Sequence, residues 1–314
     1  MRVLVTGGAG FIGSHVVDQL IEEGHELTVI DNLSTGKLEN INKQARFYKE
    51  NIESDSLMKI MDDLKPEVVV HLAAQIDVQK SLMEPGVDAD INIGGTINLL
   101  GACTKAGVKK LVYASSAAVY GDPVYLSVDE SHPICPLSPY GISKYTPEQY
   151  IRVLAATTEL NYTILRFANV YGTRQDPKGE GGVVSIFVDK LLKGESPKIY
   201  GDGEQTRDFI YVNDVARAVV SATKLGEKCI VNVSTNTATT INSLFLQMTN
   251  ILNLDIKANY ELPRQGDIIH SYLENKNALS LLDWTPKTSL YDGLNETLNY
   301  YKELHKETEL SLNA

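Results

Sequence analysis

The stretch Thr6-Gly7-Gly8-Ala9-Gly10-Phe11-Ile12-Gly13 joins a short apolar run at 3–5 to a segment, 11–23, whose apolar residues recur at helical spacing. Strand, glycine-rich turn and helix in this order are typical of a dinucleotide-binding unit. Gly7 and Gly10 let the backbone approach a pyrophosphate, Gly13 lets helix pack closely on strand, and the helix start offers free N–H groups to the phosphates. The residues expected to line a dinucleotide site are Gly7, Gly10, Phe11, Ile12 and Gly13.

The following segments continue this alternation of strands and helices. Strands are predicted at 26–30, 46–48, 68–71, 110–114 and 162–167, with helices at 55–64, 87–106 and 141–160. Near-continuous apolar strands separated by helices predict a parallel sheet covered on both faces. The expected fold class is α/β, a Rossmann-type doubly wound parallel sheet.

After Tyr171 the pattern loosens into loops rich in Gly, Pro and charge, and helices are predicted at 183–193, 213–224, 240–252 and 290–306. We expect a smaller C-terminal lobe interleaved with the last strands of the sheet. The predicted division assigns 1–172, with about 208–234, to the dinucleotide-binding domain, and 173–207 with 235–314 to a second, substrate-binding lobe.

Composition narrows the possible functions of this 314-residue chain. Its formal net charge of −11 argues against a nucleic-acid partner, which would call for a basic stripe. The three cysteines, Cys103, Cys135 and Cys229, stand at unrelated spacings, which suits a reducing compartment and no structural metal. Because no signal-like or membrane-spanning apolar segment is found, a cytoplasmic protein with no membrane partner is expected.

Asp31 ends the second predicted strand, where a carboxylate can accept hydrogen bonds from both ribose hydroxyls of an adenosine. The same charge repels a 2′-phosphate, so the predicted cofactor is NAD and not NADP. Acidic residues also open turns for purely local reasons, but here the acid coincides with the glycine turn. The residues expected to wrap the adenosine are Asp31, Asn32, Ser34, Thr35 and Gly36.

A second motif, Tyr140-Gly141-Ile142-Ser143-Lys144, opens the helix predicted at 141–160. A spacing of four residues places the phenol and the ammonium on one helical face. A phenol is a poor base near neutral pH, but an adjacent ammonium and an oxidised nicotinamide lower its pKa. Tyr140 is then expected to take a proton from a substrate hydroxyl while hydride leaves the same carbon, and Lys144 to hold the nicotinamide ribose as well.

Ser116 lies in a companion segment, 114–121, which follows the strand predicted at 110–114. Ligands of open α/β sheets bind at this carboxyl edge. The serine hydroxyl can hydrogen-bond both the substrate hydroxyl and the phenolic oxygen. Together with the glycine turn, Ser116, Tyr140 and Lys144 predict a redox-active site.

With these motifs, the chain resembles the extended short-chain dehydrogenase/reductase family of NAD-dependent epimerases and dehydratases, and within it the UDP-glucose 4-epimerases. The resemblance covers essentially the whole chain. The segments that carry it are 6–13, 31–36, 71–74, 92–96, 115–121, 140–144, 166–172, 201–208 and 263–267.

The resemblance implies roles for individual residues. Ser116 matches the catalytic serine, Tyr140 the acid/base and Lys144 its partner, while Asn92 resembles the asparagine beneath the cofactor site. Asn51 stands where many relatives have Asp, and its amide can still form hydrogen bonds. The further cofactor contacts implied are Asn51, Ile52, Leu72, Ala73, Ala74, Ala114 and Phe167.

A UDP-sugar substrate is implied in the same way. Arg207 and Arg264 match two arginines that clamp the diphosphate, and the forked guanidinium suits two phosphate oxygens in a chain of net charge −11. Asn169 matches a diphosphate contact and Asp267 a uridine-ribose contact. The remaining substrate contacts implied are Val183, Val184, Tyr200 and Ser271.

The implied activity is NAD-dependent 4-epimerisation of a UDP-hexose through a transient 4-keto sugar. Related dehydratases carry an acidic pair beside the catalytic Ser or Thr, where this chain has Ala117 and Ala118. An epimerase of another nucleotide sugar, a UDP-uronic acid or nucleotide-heptose, stays open as an alternative, as does a non-catalytic NAD-binding regulator.

Two finer expectations come from the same resemblance. Relatives with tyrosine at the position of Ser271 are confined to plain hexoses, so the small serine predicts that UDP-GlcNAc and UDP-GalNAc are accepted too. The helices predicted at 87–106 and 141–160 resemble the pair through which family members form homodimers.

Overall fold

A computed structural model describes residues 1–177, 182–263 and 268–312 of the chain. Apolar runs that suit burial on both faces form most of its strands. In chain order the strands are β1 (Arg2–Thr6), β2 (Glu26–Asp31), β3 (Arg46–Lys49), β4 (Val68–His71), β5 (Lys110–Ser116), β6 (Asn161–Phe167), β7 (Asn169–Tyr171), β8 (Lys198–Tyr200), β9 (Thr206–Arg207), β10 (Phe209–Tyr211), β11 (Cys229–Val233), β12 (Thr239–Thr240) and β13 (Asn259–Glu261).

Helices follow most of the strands. They are α1 (Phe11–Glu22), α2 (Ser56–Leu64), α3 (Val78–Met83), α4 (Pro85–Ala89), α5 (Gly95–Ala106), α6 (Pro139–Thr157), α7 (Val183–Leu192), α8 (Val212–Ala222), α9 (Ile241–Leu252), α10 (Lys276–Leu282) and α11 (Leu290–Leu312). The helical stretch predicted near 87–106 is confirmed, but it is not one regular α-helix, because a π-helical turn, Asp90–Gly94, separates α4 from α5. At this turn the Thr96 hydroxyl donates to the Asn92 carbonyl at 2.6 Å.

Seven parallel strands form the central sheet in the order β11-β6-β5-β4-β1-β2-β3, which confirms the doubly wound fold class. The order reverses between β1 and β4, and a crevice opens where the chain leaves these strands in opposite directions. Thr6 at the end of β1 and His71 at the end of β4 meet there, with Oγ1 and Nδ1 2.7 Å apart. This carboxyl edge is where the fold places a ligand.

Three apolar clusters hold the elements together. Val16 and Val17 of α1 belong to the cluster on one sheet face, and Leu57 of α2 to the cluster on the other. A third cluster lies in the C-terminal part, where Phe187 and Leu244 are buried. This third cluster also contains Tyr171 and Tyr211, so the predicted lobes share packing, and their boundaries stay a prediction.

Candidate active site

A cavity of about 440 Å³ lies at the carboxyl edge of the sheet and brings together most of the predicted cofactor residues. It extends from the ends of β1 and β2 to the start of α6. The predicted residues that line it are Gly7, Gly10, Phe11, Ile12, Gly13, Asp31, Asn32, Ser34, Thr35, Ile52, Leu72, Ala73, Ala74, Ala114, Tyr140, Lys144 and Phe167.

The glycine turn is as tight as its sequence predicts. Gly7 has a φ of +73°, and a Cβ there would stand 2.6 Å from the backbone nitrogen of Ala73. A Cβ on Gly13 would lie 2.0 Å from the Gly7 carbonyl oxygen. Helix α1 begins after Gly10 without a side-chain cap, so its first N–H groups stay available to an anion.

Asp31 is buried at the end of β2, and backbone N–H groups hold its carboxylate in place. Its Oδ2 accepts from the Ala9 N–H at 3.0 Å and its Oδ1 from the Leu33 N–H at 2.8 Å. Burial raises the pKa of this carboxyl, and the two hydrogen bonds oppose that rise. The arrangement orients a carboxylate toward the part of the cavity that Ser34 and Thr35 also line.

Three predicted cofactor residues lie beside the cavity and do not line it. Asn51 accepts a 2.8 Å hydrogen bond from the Asn32 amide, which ties the segment after β3 to the segment after β2. A Cβ on Gly36 would stand 2.9 Å from Asp31 Oδ1, so the chain packs directly behind that carboxylate. Asn92 is buried, and its amide donates to Ser143 Oγ at 2.9 Å.

Ser116, Tyr140 and Lys144 meet where β5 ends and α6 begins. Ser116 Oγ accepts from the Ala118 N–H at 3.2 Å, and its hydroxyl also hydrogen-bonds the Tyr140 phenol. Helix α6 begins after Ser138, whose Oγ caps it by accepting from the Gly141 N–H at 3.1 Å. The backbone N–H of Tyr140 donates to Ser81 Oγ of α3 at 3.1 Å, which fixes the first turn of α6 beside the cavity.

Burial raises the pKa of Tyr140, the Ser116 hydrogen bond lowers it, and the negative charge of Asp88 raises it. These groups leave the phenol with a raised pKa. Lys144 is not among the groups that shift the pKa of Tyr140, so the part of the prediction that still stands is the lowering by the positive charge of an oxidised nicotinamide.

Lys144 is 4% exposed, and its Nζ lies 5.1 Å from the centroid of the Tyr113 ring. Burial lowers the pKa of its ammonium to about 8, while Asp88 and Glu148 raise it. The same positive charge adds to burial in lowering the pKa of His71 to about 3. A lysine with this pKa still carries its proton at neutral pH.

A buried ion pair supports the two structural elements that carry the catalytic candidates. Glu148 of α6 accepts from Arg166 of β6 at 3.0 Å and 2.6 Å, and from the Ser115 hydroxyl of β5 at 2.5 Å. The Arg166 guanidinium also lies 4.8 Å from the centroid of the Tyr120 ring. Losing one partner of such a pair would leave an uncompensated buried charge. The pair therefore holds β6 on α6, and the Ser115 hydrogen bond to Glu148 holds β5 there as well.

Sequence reasoning missed several residues of the cavity wall. Part of the wall is formed by the residues that follow β4. The family motif at 71–74 stops at Ala74, whereas the chain lines the cavity as far as Asp77. The missed residues are Ile30, Glu50, Glu53, Gln75, Ile76, Asp77, Lys80, Ile91 and Ser115.

The predicted substrate residues spread over the C-terminal part of the chain. Arg207 of β9 donates to the carbonyl of Thr206 at 2.8 Å, and the Ser271 N–H donates to that carbonyl at 3.2 Å, so the two residues are close. Tyr200 lines a second cavity, together with Gln205 and His270. Val183 and Val184 begin α7, and Asn169 begins β7 with an exposed side chain. Arg264 and Asp267 lie outside the described residues.

Within 1–177, 182–263 and 268–312, no helix is long and apolar enough to cross a membrane. In the same part of the chain, no group of three or more His, Cys, Asp or Glu side chains is placed to hold a metal ion.

Comparison with known proteins agrees with this geometry. The model of the NAD dependent epimerase/dehydratase family matches residues 3–234. UDP-glucose 4-epimerase of Mycolicibacterium smegmatis is 39% identical over 309 residues, which cover 96% of this chain and 99% of the relative.

Solved structures show the same relationship. The UDP-glucose 4-epimerase of Thermotoga maritima, solved with UDP-glucose, is 46% identical, with a TM-score of 0.95 over 97% of this chain and 100% of its own. UDP-N-acetylglucosamine 4-epimerase of Methanobrevibacter ruminantium, in complex with UDP-N-acetylmuramic acid, is 38% identical, with a TM-score of 0.92 over 96% of this chain and 98% of its own.

Proposed function

We propose that this protein is an NAD-dependent UDP-hexose 4-epimerase, on the premise that the chain belongs to the NAD dependent epimerase/dehydratase family. The observation that carries the proposal is that Tyr140 and Lys144 line the same cavity as the glycine turn and Asp31, with Ser116 beside the Tyr140 phenol. The reaction interconverts UDP-glucose and UDP-galactose through a 4-keto sugar.

The cavity suits the cofactor by steric and polar criteria. Gly7 and Gly13 let the turn and α1 pack directly on backbone atoms of Ala73 and Gly7, and the start of α1 offers N–H groups to a pyrophosphate. When bound, NAD supplies the acceptor and then the donor of the hydride. The chain itself positions the sugar and moves the proton.

Tyr140 acts as the base that removes the proton from the 4-hydroxyl and as the acid that returns it. Ser116, which hydrogen-bonds the phenol, orients the sugar hydroxyl toward it. Lys144, whose ammonium carries its proton at neutral pH, would hold the nicotinamide ribose. Ala117 and Ala118 follow Ser116 with methyl groups only, so no acid or base stands there to eliminate water.

The nucleotide part of the substrate is bound by the C-terminal segments. We assign diphosphate contacts to Asn169, Arg207 and Arg264 and a uridine-ribose contact to Asp267. Strong binding of UDP with few contacts to the hexose lets the 4-keto sugar turn over between the two hydride transfers. Ser271 leaves room for an N-acetyl group, so UDP-GlcNAc and UDP-GalNAc are also substrates.

The proposal is tested with purified protein and UDP-galactose in the absence of added cofactor. UDP-glucose formed to equilibrium, without accumulation of NADH, is the expected result for protein that retains NAD, and addition of NAD to a parallel sample covers loss during purification. Lasting NADH with oxidised sugar would instead identify a dehydrogenase. No conversion of any UDP-sugar, with NAD still bound, would identify a binding protein.

We assign a homodimer to the helices within 87–106 and 141–160, which are α4, α5 and α6. Exposed apolar side chains lie on both segments: Val87 of α4 and Ile97 of α5 are 40% and 37% exposed, and Tyr150 and Val153 of α6 are 48% and 69% exposed. Light scattering is expected to give twice the chain mass, and Val153→Glu to give one chain mass. Leu246→Glu on α9, where the side chain is 59% exposed, is the matched control and is expected to leave the dimer intact.

The proposed location is the cytoplasm, since Cys103, Cys135 and Cys229 are all unpaired thiols. Fractionation of cells that produce the native protein tests this location.

A further inference from the structure

Asp88 is a buried carboxylate beside the active site that belongs to none of the sequence motifs. It lies on α4 and is 1% exposed. Its Oδ1 accepts from the Gln75 amide at 2.8 Å and from the Asn92 amide at 3.1 Å. Its Oδ2 is buried and has no hydrogen-bond partner among the described residues. A half-satisfied carboxylate costs folding free energy, so its presence here calls for an explanation.

A chain of hydrogen bonds connects this carboxylate to the first turn of α6, which contains Tyr140. The Asn92 amide, besides bonding Asp88, donates to Ser143 Oγ at 2.9 Å, and the Ser143 hydroxyl donates to the Tyr140 carbonyl at 3.1 Å. The Gln75 N–H donates to Asn92 Oδ1 at 2.7 Å. Asp88 therefore anchors a network that spans the chain after β4, the π-helical turn and α6.

Among the residues 1–177, 182–263 and 268–312, Asp88 also differs from the other acid near the catalytic pair in forming no ion pair with a cation. Glu148 on α6 is neutralised by two hydrogen bonds from Arg166, at 3.0 Å and 2.6 Å. The other titratable groups that face Lys144 are Tyr113 from β5 and His71 from β4; the pKa of Tyr113 is raised well above 10 and that of His71 lowered to about 3, so both stay neutral. Within the part of the chain that the structure describes, Asp88 is thus the acid near the catalytic pair whose carboxylate forms no ion pair with an arginine.

We propose that Asp88 is a positioning residue that sets the charge of the Tyr140–Lys144 pair, an inference that rests on the proposed epimerase function. The carboxylate acts on both members through space. It favours the ammonium of Lys144 and disfavours the phenolate of Tyr140. The Asp88 carboxylate thereby keeps both Lys144 and Tyr140 protonated until an oxidised cofactor binds.

The sign of its effect on pH dependence follows from these two interactions. Because Asp88 raises the pKa of Lys144 and the pKa of Tyr140, its neutralisation lowers both. The alkaline limb of the activity profile, where Lys144 loses its proton, then moves to lower pH. The acid limb, where Tyr140 must ionise, moves in the same direction. A residue with a purely structural role would lower activity at all pH values without moving either limb.

The test is the pH profile of kcat/KM for UDP-galactose in the wild-type chain, Asp88→Asn and Asp88→Glu. Asp88→Asn is expected to move both limbs toward acid by about one pH unit, the usual effect of one nearby buried charge. Asp88→Glu keeps the charge and is expected to restore the wild-type midpoints. Ser143→Ala, which removes a hydrogen bond of the network but no charge, is expected to lower kcat with unmoved midpoints. Unmoved midpoints in Asp88→Asn would overturn the proposal, and Asp88→Ser replaces that variant if it does not fold.

A second readout separates this inference from the proposed function. The ionisation of Tyr140 is followed by the tyrosinate absorbance that Tyr140→Phe removes, measured in NAD-bound protein without substrate. Its midpoint is expected to fall in Asp88→Asn, and an equal midpoint would overturn the inference even if the protein converts no UDP-sugar. A shifted midpoint in a protein without epimerase activity would contradict the proposed function alone.

Discussion

Replacing Gly13 with alanine perturbs the cofactor site without touching a charged group. An alanine Cβ would lie 2.0 Å from the Gly7 carbonyl oxygen and 2.8 Å from the Gly8 Cα, both backbone atoms. Since real Cβ contacts are essentially never under 3.0 Å, α1 and the glycine turn must separate by about 1 Å. Overpacking of this kind costs about 1–3 kcal/mol of folding free energy. A 1 Å shift also spoils the N–H donors at the start of α1, and one lost hydrogen bond to a charged group costs about 1.5–3 kcal/mol.

The measured quantity is the dissociation constant of NAD, by calorimetry, together with the urea midpoint of unfolding. The Gly13→Ala variant is expected to bind NAD at least about tenfold more weakly, from the loss of about 1.5 kcal/mol or more. Gly86→Ala is the matched control, because a Cβ at this helical glycine meets nothing within 4 Å. It is expected to bind NAD like the wild-type chain. Unchanged NAD affinity in Gly13→Ala would refute the assignment of the glycine turn as the pyrophosphate site.

Further predictions concern proton transfer by Tyr140, the choice of cofactor by Asp31, the choice of sugar by Ser271 and the pH dependence of activity. Tyr140→Phe keeps the ring and removes the oxygen, so kcat is expected to fall by about 10²–10⁴ while calorimetry shows unchanged NAD affinity; a comparable loss of affinity would indicate a structural role. Asp31→Asn removes the charge that repels a 2′-phosphate, and the ratio of NADP to NAD affinity is expected to rise at least about tenfold; an unchanged ratio would contradict the ribose assignment. Ser271→Tyr is expected to abolish turnover of UDP-GlcNAc and to spare UDP-glucose, whereas equal loss of both would count against the pocket assignment. Activity is expected to decline as pH rises through about 8, because that is where Lys144 loses its charge; a profile flat to pH 10 would show that this charge is dispensable.

The sheet was predictable from sequence because its strands are buried on both faces and therefore appear as apolar runs. The predicted strand at 68–71 is confirmed without a shift, and the strand predicted at 110–114 extends two residues further, to Ser116. Helix α3 escaped prediction because it has six residues, with Gln79 and Lys80 among them. Its start depends on Asp77, whose side chain accepts from the N–H groups of residues 79 and 80. A helix that depends on such a cap shows no periodic pattern of apolar residues from which it could be predicted.

Some residues of the candidate site were predictable from local sequence, and others depend on contacts between distant parts of the chain. Gly7, Gly13 and Asp31 were predictable because a dinucleotide imposes close backbone approach and one acid at fixed places in a strand-turn-helix unit. Asp88 was not, because its importance comes from Asn92 and from contacts that folding brings together from distant positions in the chain. That no cation of the described residues forms an ion pair with it is a property of the three-dimensional arrangement, and no spacing in the sequence records it.

The central claim is that the chain removes hydride from C4 of the sugar and returns it to the same carbon. UDP-galactose labelled with deuterium at C4 tests this claim most directly, with mass and NMR analysis of the UDP-glucose formed in ordinary water. Full retention of deuterium at C4 is the predicted result, because a bound NAD would return to C4 the same hydride that it accepts from it. Product with protium at C4 would contradict it, since the C4 hydrogen would then have exchanged with solvent.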